Sequence, residues 1–440
     1  MDDLALGLNV VLAAIVTALF GFAAAGFHAL VTGCLELRRE RRANSQEFGG
    51  ILLKSPIVPG VSVLYSPPAA DLKTRATVRR LLDLHFAQSE LVLVLDGPSQ
   101  VDLNRWVEDL RLVPLDRSGN DPLATQKVRG CYVSRDPLRL LVVDKERGGQ
   151  ADALNAAVNA ARYPVLALVD AEADFIPGFL LSLIRPMLQD WERTMGVCGV
   201  APSPAGRGLA GQIGALETLR MYLARCAAFG AWNRVAPVPG CCMLVKRAAV
   251  LANGGFSGEP LELFLDLHTA ARAQSSPYRI AFVPTGVSCR PAANSWEEVR
   301  RDVLRDQHML TTALHRHGPG AGREFLGLFC FRVLRPLLET GGLLLAAVGL
   351  GAGLVPPALA ALVLLAGAGS GMVTSMAAVV LHEIAQPGGM PPLSLATLFF
   401  AAVPENLGYR QLRNLWLLSA FFKTESRTNG PGPRARDESS

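Results

Sequence analysis

The sequence predicts an α/β fold, a doubly wound and mostly parallel sheet, joined to transmembrane helices at its N-terminal and C-terminal ends. Three observations predict it. Leu4 to Val31, roughly 28 residues, holds no Asp, Glu, Lys or Arg, against the ~20 a spanning helix needs. Thr340 to Leu381 is again free of charge, about two spans long, with Pro356-Pro357 near its middle as a turn. Between them, short apolar runs alternate with segments of helical spacing. That alternation is the signature of βα units.

The first apolar run is too long for the core of a signal peptide, and its basic residues follow it. A retained anchor over 1–34 is expected. The stretch Leu35-Glu36-Leu37-Arg38-Arg39-Glu40-Arg41-Arg42 then puts the next domain in the cytoplasm by charge bias, with 35–57 as a basic juxtamembrane linker. The α/β domain is expected over 58–320. Its strands are Val61–Tyr65, Leu91–Leu95, Leu138–Val143 and Val165–Val169, continuous apolar runs suited to a sheet buried on both faces. Helical spacing lies between them at 72–86, about 101–111, and Ala151–Ala161. Further spans are expected at 325–350 and 356–381, an interfacial or re-entrant segment at 390–423, and a disordered Gly-, Pro- and Ser-rich tail at 424–440.

Composition excludes several classes. The net charge is only +5, and no Lys/Arg block interleaves with aromatics, so nucleic-acid binding has no footprint. The eight cysteines form no CxxC pair and have no histidines at zinc spacing; they read as buried thiols of a reducing compartment. His308, His315 and His317 read as a solvated helix face. Gly349, Gly351 and Gly353 read as a turn between membrane helices. Arg332, Arg335 and Glu339 read as pairing or snorkelling at the interface. The spans themselves are poor in polar groups, which disfavours a channel or carrier.

In open parallel sheets, ligands bind beyond the carboxyl ends of the strands. There the sequence has Asp96-Gly97 and Asp170-Ala171-Glu172. Carboxylates at such ends hold a nucleotide or its metal, although Asp equally caps a following helix.

Spacing adds to this. Val61 to Gly97 is similar to the opening VSVIVPAYNEE…VVVxDGS of family 2 glycosyltransferases. Asp144-Lys145-Glu146-Arg147-Gly148-Gly149-Gln150-Ala151-Asp152-Ala153-Leu154-Asn155 resembles that family's K-x-x-GGKA-x-ALN loop. Pro239 to Arg247 resembles its SGAFGLFRR segment, Ala249 to Phe256 its GGF turn, and Gly258 to His268 its GEDMELVVRLH. Arg335–Glu339 and Glu405–Leu412 look like the C-terminal membrane part of the bacterial, membrane-bound branch related to cellulose, hyaluronan and poly-N-acetylglucosamine synthases. The resemblance implies a GT-A fold and a nucleotide-diphosphate sugar donor bound by Asp96, Gly148, Gly149, Gln150 and Asp170. It also implies a divalent cation, Mg²⁺ or Mn²⁺, on Asp170 and Glu172.

The chain departs from the family at four places. NEE is Ala69-Ala70-Asp71, the second Asp of DxD is Glu172, the general-base Asp of the ED motif is Pro260, and Q-x-x-RW survives only as Arg305, between Asp302 and Asp306. Proline cannot take a proton, so Glu259 or Glu262 is the candidate catalytic base. Two readings stay open. One is an inverting, metal-dependent, non-processive transferase acting on a lipid or envelope-polysaccharide acceptor at a bacterial inner membrane. The other is a catalytically impaired homologue serving as scaffold or nucleotide sensor among polysaccharide-assembly partners.

Overall fold

The computed structural model describes residues 2–44, 58–67, 72–83, 86, 88–117, 121–135, 139–169, 174–175, 179–199, 206–233, 242–258, 260–273, 277–283, 288–289, 293–317, 327, 329–388 and 391–428. The chain packs as two compact units. One comprises Thr32–Ser203 and Met221–Pro291; the other Met1–Val31, Pro204–Arg220 and Ala292–Ser440. Helix α1 (Asp2–Asn44) opens the chain, running ten residues beyond the anchor expected at 1–34 and through the first part of the expected linker.

The first unit is built on a sheet. Its strands are β1 (Val61–Tyr65), β2 (Ser89–Asp96), β3 (Leu112–Leu115), β4 (Val128–Ser134), β5 (Leu140–Lys145), β6 (Val165–Leu168), β7 (Asp174–Phe175), β8 (Thr194–Gly199), β9 (Cys242–Lys246), β10 (Arg279–Val283) and β11 (Ser288–Cys289). Nine of them, β10-β8-β9-β6-β1-β2-β5-β4-β3, form one sheet, and β7 pairs with β11. The four strands expected from sequence are its centre, β6-β1-β2-β5, and pair in parallel. β1 and the middle of β2 are buried on both faces, as their unbroken apolar runs require. Towards the edges the sheet turns antiparallel at β3–β4, β4–β5, β6–β9 and β8–β9, so it is mixed rather than wholly parallel.

Helices α2 (Leu72–Leu82), α3 (Gln100–Asp109), α4 (Gln150–Ala160) and α5 (Phe179–Gln189) connect the strands. Ser99 caps α3 by accepting the Asp102 N–H at 3.1 Å, and Leu103 and Trp106 turn inward from it. The core over the sheet gathers Val63, Leu91, Leu93, Leu140, Val142, Phe179, Leu183 and Leu244. Cys34, Cys131, Cys198, Cys226 and Cys242 are buried and in no disulfide, and Cys330 is half-buried.

The second unit is helical: α6 (Gly208–Met221, of which all but Met221 belongs here), α8 (Trp296–His317), α9 (Arg335–Gly351), α10 (Pro357–Leu364), α11 (Ser370–Ala385), α12 (Pro392–Pro404) and α13 (Arg410–Thr428). Helix α7 (Pro260–Ala273) belongs to the sheet unit. Among the described residues, three helical segments are long and apolar enough to cross a membrane: Asp3–Arg42, Cys330–Gly351 and Pro357–Ala385. Leu12, Ile15 and Leu19 of the first pack with Ala346, Val363 and Ala366 of the others. The turn between α9 and α10 closes through Gly353 at φ +70°, with the Leu354 and Val355 N–H groups donating to Gly349 O. Residues 204–220 and 292–317, expected inside a 58–320 domain, pack in this unit instead. Leu216 and Leu219 meet Val379, Leu398 and Ala402, while Ile213 and Val299 meet Tyr409.

Candidate functional site

The register of the parallel centre sets Asp96, the last residue of β2, beside Lys145, the last of β5. Lys145 is completely enclosed, and its Nζ lies 2.7 Å from both Asp96 Oδ1 and Asp152 Oδ1. It also donates to the Glu146 carbonyl at 2.7 Å. Asp96 Oδ1 further accepts the Gly148 N–H and Oδ2 the Gly149 N–H, each at 2.9 Å. One carboxylate thus ties two strand ends to the glycine loop. Burial by itself would raise the Asp96 pKa. Hydrogen bonds from Lys145, Gly148 and Gly149, with the Lys145 charge, outweigh it and hold the carboxyl below its ordinary range. A carboxylate offers about four acceptor sites. Three are taken, leaving room on Oδ2 for one more donor.

The loop opens directly into α4. Gly149 sits at φ 89°, ψ 177°, a conformation essentially reserved for glycine, and provides no side-chain cap. The start of α4 therefore has no side-chain cap beside exposed Gly148, Gly149 and Gln150, a position suited to an anion. Asp152, in the first turn, is occupied from the other side by the Gln126 N–H at 2.8 Å. Arg129 pairs with Asp144 at 2.5 Å.

From the same helix, Asn155 donates to Phe256 O at 3.0 Å and accepts the Phe256 N–H at 2.7 Å. Gly254 and Gly255 make that turn at φ +79° and +92°, and a Cβ on Gly255 would run into the Asn155 amide. The GGF turn is thereby clamped to the loop helix. Just beyond it, Glu262 in α7 is 3% exposed, its carboxylate lying over the bare Cα of Gly258.

Several expected site residues lie outside the described residues: Asp170, Glu172, Glu259, and the segment 69–71. Among the described residues no group of three His, Cys, Asp or Glu is placed to hold a metal. Asp302 and Arg305 are exposed on α8, and Asp306 pairs with Arg332. Sequence reading passed over Lys145 and Asp152. Within D-K-E-R a lysine looks like a surface charge, and only the strand register shows it turned inward.

It also passed over a charged core in the helical unit. Arg220 reaches Glu405 at 2.5 Å and Ser375 Oγ at 2.9 Å. Arg410 pairs with Glu339 at 2.9 Å and donates to Asn406 Oδ1 at 2.7 Å. Glu217 accepts from Tyr409 Oη at 2.7 Å and pairs with Arg413. The seat is a small-residue ladder. Gly367 lies against Glu339, Gly371 against Arg410 and Asn406, and Ser375 bonds Arg220 and Asn406. A π-helical turn at Leu365–Gly369 and a kink at Glu405–Tyr409, where Leu407 and Gly408 (φ +133°) leave helical backbone, bring these groups in. The expected pairing of Glu339 is present, but the spans are less bare of polar contacts than their composition implied.

A mixed α/β sheet with a parallel centre, and a glycine loop between an acidic strand end and a helix, agree with the GT-A fold that the sequence resemblance implies. Residues 126–308 match the family described as glycosyltransferase like family 2. The match takes in Lys145 and the glycine loop and stops short of Asp96. No curated protein matches the chain. Among solved structures, the chain is similar to a mannosyltransferase from Pyrobaculum calidifontis in complex with GDP-Man and Mn²⁺. The two are 18% identical, with 91% of this chain and 99% of that one covered and a TM-score of 0.48. It is also similar to glucosyl-3-phosphoglycerate synthase from Mycobacterium tuberculosis, in complex with Mn²⁺, UDP and phosphoglyceric acid, at 16% identity, 61% and 82% coverage and a TM-score of 0.38. These likenesses are too distant to transfer a residue's role.

Proposed function

We propose that the chain transfers a sugar from a nucleotide-diphosphate donor to a lipid or envelope-polysaccharide acceptor, one sugar per event, on the cytoplasmic side of a bacterial inner membrane. The observation that carries this reading is the Asp96–Lys145–Gly148–Gly149 knot at the mouth of α4. The knot supports this reading because it offers an ionised acceptor that would suit a nucleoside, next to a helix start without a side-chain cap that would suit the diphosphate. A divalent cation suits the all-carboxylate donor set of Asp170 and Glu172 and would neutralise the leaving diphosphate. The acceptor oxygen attacks the anomeric carbon as the bond to the diphosphate oxygen breaks, inverting that centre. The acceptor proton passes to Glu259 or Glu262.

Nucleotide-sugar titration and hydrolysis on the purified protein, with and without Mg²⁺ or Mn²⁺, test this. Loss of one charged hydrogen bond is worth about 1.5–3 kcal/mol, so Asp96→Asn is expected to weaken donor binding roughly 10- to 100-fold. Asp170→Ala is expected to remove the metal dependence. If no nucleotide diphosphate binds in a metal-dependent way, the transferase reading fails. The second reading, a nucleotide-binding scaffold, is favoured by one observation: the described carboxylate on the acceptor side, Glu262, is buried against Gly258. Binding without turnover would select it.

A further inference from the structure

Three glutamates of the helical unit each have an arginine: Glu405 has Arg220, Glu339 has Arg410, and Glu217 has Arg413. Arg335, in the first turn of α9, is left over. No described residue hydrogen-bonds or pairs with it, and its Nε is enclosed without a partner. Its charge neighbours are Arg410, Arg220 and Arg413 against Glu339 alone, and Arg410 already holds Glu339. Among the described residues the cluster therefore sets four arginines against three glutamates, an arrangement that is costly at a membrane span unless an anion completes it.

Position says what kind of anion. Arg335 is partly buried rather than sealed, and it lies at the start of the span Cys330–Gly351. Further along the same helix Leu337, Leu344, Leu345 and Val348 are exposed, a face that only alkyl chains cover favourably in a membrane. A ligand with a charged head at the span's end and apolar chains along it satisfies both. The planar guanidinium is the group suited to bidentate contact with phosphate.

We propose that Arg335 is the seat of the phosphate group of an anionic membrane lipid, whose net negative charge completes the Arg220–Arg410–Arg413 cluster. This goes beyond sugar transfer and stands or falls without it. The probes are dioleoylphosphatidylglycerol, dioleoylphosphatidylcholine and inorganic phosphate, added to the full chain in neutral detergent. Lipid retention is read by native mass spectrometry and unfolding temperature by scanning fluorimetry. Wild type is expected to retain the anionic lipid at least about fivefold over the zwitterionic one. Arg335→Leu is expected to lose that preference and Arg335→Lys to keep part of it. Arg39→Gln, at an arginine whose side chain is 82% exposed, is expected to change nothing. Without lipid, Arg335→Leu should unfold no lower than wild type, because it removes an unpaired charge. The anionic lipid should then raise wild type alone. Equal retention of the two lipids, a preference that survives Arg335→Leu, or full stabilisation by inorganic phosphate without lipid would overturn the proposal. Should Arg335→Leu fail to fold, the two-lipid contrast on wild type and the Arg335→Lys variant decide it.

Discussion

Lys145 shows what enclosure does to a charge. Its ammonium is shut in by Asp96 and Asp152, so Lys145→Met would leave two carboxylates facing each other with no cation between them. Breaking a buried pair from one side costs about 3–5 kcal/mol, and the partial exposure of both aspartates puts this case near the lower end. Chemical denaturation should show the loss. Asp96→Asn should be milder, since an amide oxygen still accepts two of the three hydrogen bonds. The pH dependence follows from the lowered Asp96 pKa. A depressed carboxyl contributes stability above its unfolded pKa, about 3.9, and loses it as pH falls through the lower folded value. The stability gap between wild type and Asp96→Asn should therefore be level above about pH 5 and shrink below about pH 4. Asp96 was legible in the sequence because strand, aspartate and glycine fall together. Its partner was not, because which side of a strand end a lysine faces depends on pairing register.

At the scale of elements, glycines decide two packings. On Gly371 a Cβ would run into the Arg410 guanidinium and the Asn406 amide. Gly371→Ala should therefore destabilise by the ~1–3 kcal/mol typical of overpacking, read as a lower unfolding midpoint in detergent. Gly255→Ala meets two obstacles at once, a φ of +92° and the Asn155 amide. It should release the turn from α4 and cost about 1–3 kcal/mol, with Asn155→Ala giving a loss of the same order through the unpaired Phe256 backbone. The four central strands were readable because each is an apolar run bounded by turns. β4, with Arg129 and Gly130, and β8, with Gly196 and Gly199, break that pattern and are strands only through their neighbours.

For the whole chain, the boundary read from composition and the one made by packing differ. A fragment spanning 45–320 looks like a soluble domain. It would strip Glu217 of Tyr409 and Arg413, Arg220 of Ser375 and Glu405, and Asp306 of Arg332. It would also uncover Leu216 and Leu219. Such a fragment should elute as aggregate on size exclusion while the full chain in detergent runs as one species; a monodisperse fragment would contradict the packing described. Hydropathy marked the helices apolar enough to cross a membrane but not α6, whose partners lie far along the chain.

That distance has a consequence in time. Glu217 meets an arginine 196 positions later. At a synthesis rate of about 5–20 residues per second, α6 emerges from the ribosome roughly 10–40 s before Arg413 exists. Through that interval its apolar face and its two charges have no home. Protein production should therefore respond to translation speed and to holdase chaperones, even in a chain whose finished form is stable.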